Sequence, residues 1–321
     1  MKFFSKNFAY FREEFMKIAI IGAGMVGSTI LYRLVINSMV SKIAIIDINK
    51  EKSKAEAFDL MHAGVFEKDS KIVFGDFDRL AESDIVVISA GANQKVGETR
   101  LELLDRNVEI FKKIVPEIKK YAKDSIIIVA TNPVDVMTEV VLRLGDFNKR
   151  KVLGTGCVLD SARFRSVLSA KFKISPCSIN ADVIGEHGDS SVLLWSKIES
   201  TLKEFGGINP KQRSDVEYKV RNLAYEIIKG KGATYYGIAS ACVSIIEGIL
   251  SDSNKVFNIS SHFDKALGLY NNVSFSMPFV LGKDGVVKVL VPSLNDDEKK
   301  KLVESVGVIS KFVNGIGEGV C

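Results

Sequence analysis

The sequence predicts an α/β protein in which a doubly wound parallel sheet is followed by an α+β domain. Three observations predict this class. Short apolar runs alternate with helical patterns in the first half, a glycine-rich turn follows the first run, and the apolar period changes beyond about residue 155. A chain of 321 residues is long enough for about two domains.

The apolar runs of the first half have the composition of buried strands. Ile and Val occupy consecutive rather than alternate positions, as is typical of parallel strands that helices cover on both faces. With the helical patterns between them, these five runs predict βαβ units, in a sheet that we expect to have six strands to about residue 155. The runs are KIAIIGA from Lys17, KIAIID from Lys42, KIVFG from Lys71, DIVVISAG from Asp84 and SIIIVATN from Ser125.

The clearest helix follows Glu98 and runs to Tyr121, and Thr99 with Glu102 predicts a capping box at its start. Beyond residue 155 the pattern is mixed. It predicts helices over 158–171, 211–229, 233–250 and 296–313, a strand over 179–189, and strands over 255–263 and 270–291 with a hairpin turn at 283–285. No linker separates the halves, so we expect the functional site in the crevice between them.

Composition excludes several classes of protein. Hydrophobic residues at 46% and charged residues at 26% indicate a globular chain rather than a disordered one. The longest uncharged apolar run is shorter than a membrane span, and the net charge of +5 is dispersed, so we expect no membrane and no nucleic-acid partner. Residues 1–16 lack the apolar core of a secretory signal. Cysteines without CxxC or metal-ligand spacing predict no metal site and a reducing, cytoplasmic location; they are Cys157, Cys177, Cys242 and Cys321.

A GxGxxG pattern ends the first predicted strand. In a dinucleotide site Gly22 makes the tight turn, Gly24 lets the backbone approach a pyrophosphate, and Gly27 lets the helix pack on the strand. A glycine turn alone occurs in many α/β proteins. Asp47, twenty residues later at the end of the second strand, can bind a ribose diol and would repel a 2′-phosphate, which favours NAD over NADP. Lys52 could line the adenosine side, or be a solvated lysine.

The second half carries a candidate for acid/base catalysis. His187 lies between two glycines in IGEHGDS, whereas His62 and His262 lie in helix and strand patterns that are typical of surface or core residues. Histidine titrates near neutral pH, as proton transfer to or from an alcohol requires.

Two further features extend this site. Asp160 and Arg163 share one helical face, so they could orient His187 and bind a substrate carboxylate, although an ordinary helical ion pair is the simpler interpretation of their spacing. Gln94 and Arg100 belong to a polar loop after the fourth strand that could close over a carbonyl group or be merely solvated.

The chain resembles the NAD-dependent L-lactate/L-malate dehydrogenase family, and within it the bacterial L-lactate dehydrogenases. The resemblance extends from Lys17 to about Lys311. It implies a Rossmann NAD-binding domain over 17–155, a catalytic and substrate-binding α+β domain over 156–321, and an extension over 1–16 without a known role. The motifs that carry it, in family order, are GAGMVGS, GANQKVGETRLELLDRN, TNPVDVMT, GTGCVLDSARFR, IGEHGDSSVLLWS and KGATYYGIA.

The resemblance implies a role for each matched residue. His187 is the proton donor and acceptor, Asp160 its partner, Arg163 the anchor of the substrate carboxylate, and Arg100 the lid arginine that polarises the carbonyl. Asn132, before an expected cis proline, contacts substrate and nicotinamide, and Thr234 borders the substrate side chain. Residues implied to line the cofactor cleft are Val26, Gly91, Ala92 and Thr155.

The same resemblance bears on substrate, regulation and assembly. Malate-type members carry an arginine where this chain has Gln94, so pyruvate and L-lactate fit better than a dicarboxylate; malate, a longer 2-hydroxy acid, or NADH binding without catalysis remain the alternatives. Many bacterial members are activated by fructose 1,6-bisphosphate through an arginine and a histidine. Arg165 matches the arginine, but Asn180 stands in place of the histidine. The implied assembly is a homotetramer working in glycolysis and fermentation.

Overall fold

The computed structural model describes residues 16–37, 40–67, 70–92, 99–263 and 272–316. Within these residues, nine strands form the main sheet, six from the first half of the chain and three from the second. The six strands of the first half are mutually parallel, which confirms the predicted doubly wound sheet. Their bounds are β1 Lys17–Ile21, β2 Lys42–Ile46, β3 Lys71–Gly75, β4 Ile85–Ile88, β5 Ile126–Val129 and β6 Val152–Gly154.

Helices cover both faces of this parallel sheet, and three of the four begin at a start signal in the sequence. Asn49 caps the second helix, and Thr99 and Glu102 form the predicted capping box of the third. The first begins just after the glycine turn. These helices are α1 Met25–Asn37, α2 Lys50–Gly64, α3 Arg100–Tyr121 and α4 Val134–Gly145.

The second half adds three antiparallel strands to the edge of the parallel sheet. Strand β9 joins β6 through the pair Gly154 and Ser260, and the predicted hairpin turns just before Gly285. The two halves therefore share one sheet, a pairing that local sequence patterns do not reveal. The added strands are β9 Lys255–Phe263, β10 Val273–Gly282 and β11 Gly285–Val289. The order across the whole sheet is β11-β10-β9-β6-β5-β4-β1-β2-β3. A separate two-stranded ribbon consists of β7 Val183–Ile184 and β8 Val192–Leu193.

The helices of the second half agree with the sequence with one exception. The strand expected over 179–189 is reduced to the two residues of β7, and the helix over 195–204 was not predicted. Helix α6 begins after Leu194, which makes no side-chain capping bond, so the usual start signal is missing. The helices are α5 Val158–Phe172, α6 Trp195–Glu204, α7 Pro210–Lys231, α8 Tyr236–Leu250 and α9 Asp296–Gly315.

Candidate active site

A cleft of about 310 Å³ opens beyond the carboxyl ends of β1, β5 and β6 and is closed on its other side by residues of the second half. Doubly wound sheets bind their ligands at this edge. The predicted site residues that line the cleft are Val26, Asn132, Thr155, Asp160, Arg163, His187 and Thr234.

The glycine turn has the geometry that a pyrophosphate needs. Gly22 has φ of +100°, and a Cβ there would lie 2.5 Å from the backbone nitrogen of Ala90. A Cβ on Gly27 would lie 1.9 Å from the carbonyl oxygen of Gly22, so this position requires close helix packing. Gly24 has no atom within 4 Å of its missing Cβ. The turn therefore leaves open backbone before the N-terminus of α1, where an anion is favoured.

Asp47 follows β2 and faces the same turn. Its carboxylate accepts hydrogen bonds from the backbone N–H groups of Ala23 at 2.6 Å and Asn49 at 2.8 Å. These bonds fix the carboxylate beside the turn, where a ribose hydroxyl could donate to it. Lys52 is exposed on the first turn of α2, with its backbone N–H bonded to the capping side chain of Asn49. The residues present therefore fit NAD.

Backbone and side-chain bonds connect the cofactor side of the cleft to Asn132. The N–H of Ala92 donates to Oδ1 of Asn107 at 2.7 Å, and Nδ2 of Asn107 donates to the carbonyl oxygen of Asn132 at 2.8 Å. A Cβ on Gly91 would lie 2.5 Å from Thr131, so a side chain there would displace its neighbour. The Asn132-Pro133 peptide bond is cis, as expected.

His187, Asp160 and Arg163 form one cluster. Oδ2 of Asp160 lies 2.5 Å from Nδ1 of His187, and its Oδ1 accepts a hydrogen bond from Nη1 of Arg163 at 2.8 Å. The helical ion pair that the spacing predicted is present, and its carboxylate also contacts the imidazole. With Nδ1 engaged, Nε2 is the ring atom that remains to exchange a proton with a ligand.

The charges of the cluster favour a protonated histidine. Burial acts to lower the pKa of His187, but the charge and hydrogen bond of Asp160, with a contribution from the charge of Asp135, outweigh it and raise that pKa above its ordinary value. Burial conversely acts to raise the pKa of Asp160, and the charges and hydrogen bonds of His187 and Arg163 lower it. The contact therefore favours an ionised carboxylate paired with an imidazolium.

Sequence reasoning missed Asp135, which lies in the first turn of α4 and is 3% exposed. Its carboxylate accepts a hydrogen bond from the backbone N–H of His187 at 2.7 Å. Burial, partly opposed by that bond, raises the pKa of Asp135 to about 6. The TNPVD motif contains it, but the sequence gives no signal of a bond to a residue 52 positions away.

Several predicted residues lie apart from this cluster or outside the described structure. Gln94 lies outside the described residues, and Arg100 is described only as the first residue of the α3 backbone. Arg165 and Asn180 are both on the surface of the second half, Arg165 half-buried and Asn180 exposed. His62 is exposed on α2, and His262 is buried in β9 with Nδ1 3.0 Å from Glu139, as its strand pattern suggested.

Two kinds of feature are absent from the described ranges. No group of three or more His, Cys, Asp or Glu side chains there could hold a metal ion. No helix among them combines the length and apolarity required to cross a membrane.

Comparisons with known proteins agree with this geometry. Residues 16–154 match the model of the lactate/malate dehydrogenase NAD binding domain, and residues 157–317 match that of the lactate/malate dehydrogenase alpha/beta C-terminal domain. An L-lactate dehydrogenase of Clostridium botulinum is 42% identical over 306 residues, which cover 93% of this chain and 96% of that protein.

Solved structures give the same result. A lactate dehydrogenase from a Medee basin deep-sea metagenome library superposes with a TM-score of 0.89 at 35% identity and covers 93% of this chain and 98% of its own. The minor L-lactate dehydrogenase of Enterococcus mundtii has a TM-score of 0.90 at 31% identity, and the match covers 94% of this chain and 99% of that one. With its glycine turn, Asp47 and the His187 cluster, the chain belongs to the lactate/malate dehydrogenase family, as an NAD-dependent oxidoreductase of the L-lactate dehydrogenase type.

Proposed function

We propose that the chain interconverts pyruvate and L-lactate, with His187 as the acid/base and Arg163 as the carboxylate anchor. The observation that carries this assignment is the Asp160 carboxylate, which contacts both His187 and Arg163 at the wall of the cleft. A 2-oxo acid needs both a cation for its carboxylate and a proton for its carbonyl oxygen. One carboxylate that holds both groups fixes the distance between them.

In the direction of pyruvate reduction, Arg163 binds the substrate carboxylate and protonated His187 donates from Nε2 to the carbonyl oxygen. Bound NADH supplies the hydride that the carbonyl carbon receives. Asp160 keeps Nδ1 protonated and stabilises the imidazolium before transfer. In lactate oxidation the neutral imidazole accepts the hydroxyl proton.

The remaining assignments follow from position in the cleft and from the sequence. Asn132 and Thr234 line the same cleft as the cluster, which supports a role for both in contacting the substrate. We assign the carbonyl-polarising role to Arg100. Val26, Gly91, Ala92 and Thr155, with the glycine turn and Asp47, form the cofactor side.

We assign substrate choice to Gln94 and Thr234. An uncharged amide offers no partner to the second carboxylate of oxaloacetate, and burying an unpaired charge is costly. The Clostridium botulinum relative is named an L-lactate dehydrogenase, which supports lactate rather than malate as the substrate. A 2-oxo acid with a longer side chain is the second candidate, because apolar residues such as Ile238 line the cleft together with Thr234.

We propose a homotetramer in the cytoplasm, where the reaction would regenerate NAD during glycolysis and fermentation. Support for assembly comes from large apolar side chains exposed on and just after α2, since solvent-exposed apolar surface is typical of subunit contacts. They are Phe58, Met61, Val65 and Phe66. Sedimentation velocity measures the assembly directly, and a monomer at micromolar concentration contradicts it.

Activation by fructose 1,6-bisphosphate is expected to be weak or absent. Arg165 can bind a phosphate, but Asn180 carries no charge to replace the histidine that the resemblance implies. Restoring the histidine with Asn180→His should increase the response if the two positions form one site.

The decisive experiment measures NADH oxidation by the purified protein with pyruvate and with oxaloacetate, each with and without fructose 1,6-bisphosphate. We expect a strong preference for pyruvate and little response to the sugar phosphate. Preference for oxaloacetate would move the assignment to malate dehydrogenase. Absence of turnover with either acid, while NADH still binds, would favour a non-enzymatic NADH-binding protein.

A further inference from the structure

The loop that carries His187 is held by three consecutive backbone N–H groups. Gly185 donates to the carbonyl oxygen of Ser276 in β10 at 2.9 Å, and Glu186 donates to the hydroxyl of Ser305 in α9 at 2.8 Å. His187 donates to the carboxylate of Asp135 in α4 at 2.7 Å. Three different elements thus fix the loop, and only the third acceptor can carry a charge.

A neutral acceptor would suffice to hold the backbone, as the first two anchors demonstrate. Burying a carboxylate is costly unless hydrogen bonds or an opposite charge compensate. Asp135 is almost completely buried, and its other oxygen accepts a long hydrogen bond from the hydroxyl of Ser276 at 3.4 Å, with the hydroxyl of Ser260 also beside the carboxylate. The nearby positive charge that can compensate it is the imidazolium of His187, whose pKa it contributes to raising.

The hydroxyl of Ser276 also connects Asp135 to the start of α5, the helix that carries the other carboxylate of the site, Asp160. It accepts the backbone N–H of Cys157 at 3.0 Å, and Cys157 immediately precedes α5, whose first turn carries Asp160. One hydroxyl therefore joins Asp135 to the residue before α5, and the two carboxylates contact His187 at different groups, Asp135 at the backbone N–H and Asp160 at the ring.

We propose that Asp135 is a positioning residue that fixes the His187 backbone and, as a second buried carboxylate, stabilises the protonated imidazole. This inference rests on the proposed function, because it assigns Asp135 a part in the same proton transfer. The site then contains two carboxylates and one imidazole that titrate as a coupled set.

The electrostatic surroundings of Asp135 agree with this role. Burial raises the pKa of Asp135 to about 6, the His187 N–H and charge oppose that rise, and the charge of Glu186 adds to it. Above pH 6 the carboxylate is thus mainly ionised and acts on the imidazole. Among the described residues, the ionisable side chains that act on Asp135 are His187 and Glu186 after β7 and Cys157 before α5, with the hydroxyls of Ser260 in β9 and Ser276 in β10. Asp160 and Arg163 of α5 in turn act on His187.

The test separates the charge of Asp135 from its hydrogen bond. Asp135→Asn keeps an oxygen that can accept the His187 N–H but removes the charge. Protein labelled with ¹³C in histidine gives one ring signal for each of three histidines, and His187→Asn identifies the signal of His187. We expect the variant to lower the pKa of His187 by about one pH unit.

Two control variants distinguish this effect from general damage. Glu139→Gln removes another buried carboxylate of α4, one turn away, which accepts the N–H of Ser274 instead. Ser305→Ala removes the neutral anchor of the adjacent residue. Neither should change the pKa of His187. An unchanged pKa in Asp135→Asn, or an equal fall in Glu139→Gln, overturns the proposal.

Kinetics supply the second readout. The rate of pyruvate reduction falls at high pH, and in Asp135→Asn this fall should begin about one pH unit lower than in the wild type. Relative to the wild type, the variant should lose about tenfold in rate at pH 8 and little at pH 6. A loss that is equal at every pH would indicate a structural role only and overturn the proposal. If the wild type fails to reduce pyruvate, the proposed function falls, while the titration of His187 still decides the role of Asp135.

Discussion

Asp160 contacts the ring of His187 at 2.5 Å, and it makes that contact with the oxygen that does not bind Arg163. The two oxygens of one carboxylate therefore hold the proton donor and the carboxylate anchor separately. Removing any member leaves the other two in an altered electrostatic environment, so each substitution should have a distinct kinetic signature.

Replacing His187 with Asn removes the group that exchanges the proton. General acid catalysis contributes about 10²- to 10⁴-fold to rate, so kcat should fall by that factor. Affinity for NADH, measured by fluorescence titration, should change little because the glycine turn and Asp47 are untouched. Loss of both turnover and NADH binding would make His187 a structural residue.

Asp160→Asn removes the charge that raises the pKa of His187 against the effect of burial. Because pyruvate reduction needs the protonated imidazole, its rate should decline at a lower pH than in the wild type, with kcat reduced about 10- to 100-fold at pH 7. Asp189→Asn, in the same loop but bonded to Tyr225, is the matched control. An unshifted pH profile would exclude the electrostatic role of Asp160.

Arg163→Lys keeps the positive charge and loses the planar fork that can bind a carboxylate through two bonds. The KM for pyruvate should rise about tenfold or more, by an amount typical of a lost charge-assisted hydrogen bond. Arg165→Lys on the same helix, assayed without sugar phosphate, controls for general effects on α5. Equal effects of the two variants would contradict the anchor role.

Gln94→Arg tests the choice between mono- and dicarboxylates. The added guanidinium should raise kcat/KM for oxaloacetate and lower it for pyruvate, because it pairs with a second carboxylate that the native amide leaves uncompensated. Gln94→Met, which adds no charge, is the control. An unchanged ratio of the two activities would place specificity elsewhere in the cleft.

Asp135→Asn should also change how stability depends on pH. Burial raises the pKa of Asp135 from 3.8 to about 6. The favourable contribution of this raised pKa to the free energy of unfolding is therefore complete below pH 3.8 and is lost as the pH rises through 6. The variant should therefore gain free energy of unfolding relative to wild type between pH 4 and pH 8, by up to about 3 kcal/mol.

Glu139→Gln provides a control of opposite sign in urea denaturation at the same pH values. Burial acts to raise the pKa of Glu139, but the hydrogen bond and charge of His262 and its other partners lower it. The contribution of Glu139 to the free energy of unfolding is present above its pKa in the unfolded chain, and it is lost as the pH falls through its pKa in the folded protein. Glu139→Gln should thus lose stability relative to wild type as pH rises, and parallel trends in both variants would contradict the assignment.

Local signals in the sequence predict most of the fold. The capping box at Thr99 and the glycine turn at Gly22 are short-range patterns whose geometry is nearly self-contained, and both form as expected. The junction of Gly154 with Ser260 is different, because a strand pattern specifies a strand but not its neighbour. Helix α6 lacks a capping side chain and has only ten residues, so its apolar period is shorter than that of α5 or α8, which also lack capping bonds.

The same distinction holds for the site. His187, Asp160 and Arg163 carry side chains whose chemistry is evident from residue type, so the sequence identifies them and the fold brings them together. Asp135 acts on a backbone N–H, and every residue except proline has one. Its role therefore depends on tertiary contact alone and could not be predicted from the sequence.

The antiparallel strands that extend the parallel sheet affect the order in which the molecule can be completed during synthesis. Ser276, whose hydroxyl contacts Asp135, lies 141 residues after it, and the carbonyl that fixes Gly185 belongs to the same residue of β10. A nascent chain that has emerged only as far as α8 can pair its six parallel strands and contains Asp135, but it lacks the anchors of the histidine loop in β10 and α9. The parallel part of the sheet can therefore form before the ribosome has synthesised β10, the strand that completes the anchoring of His187.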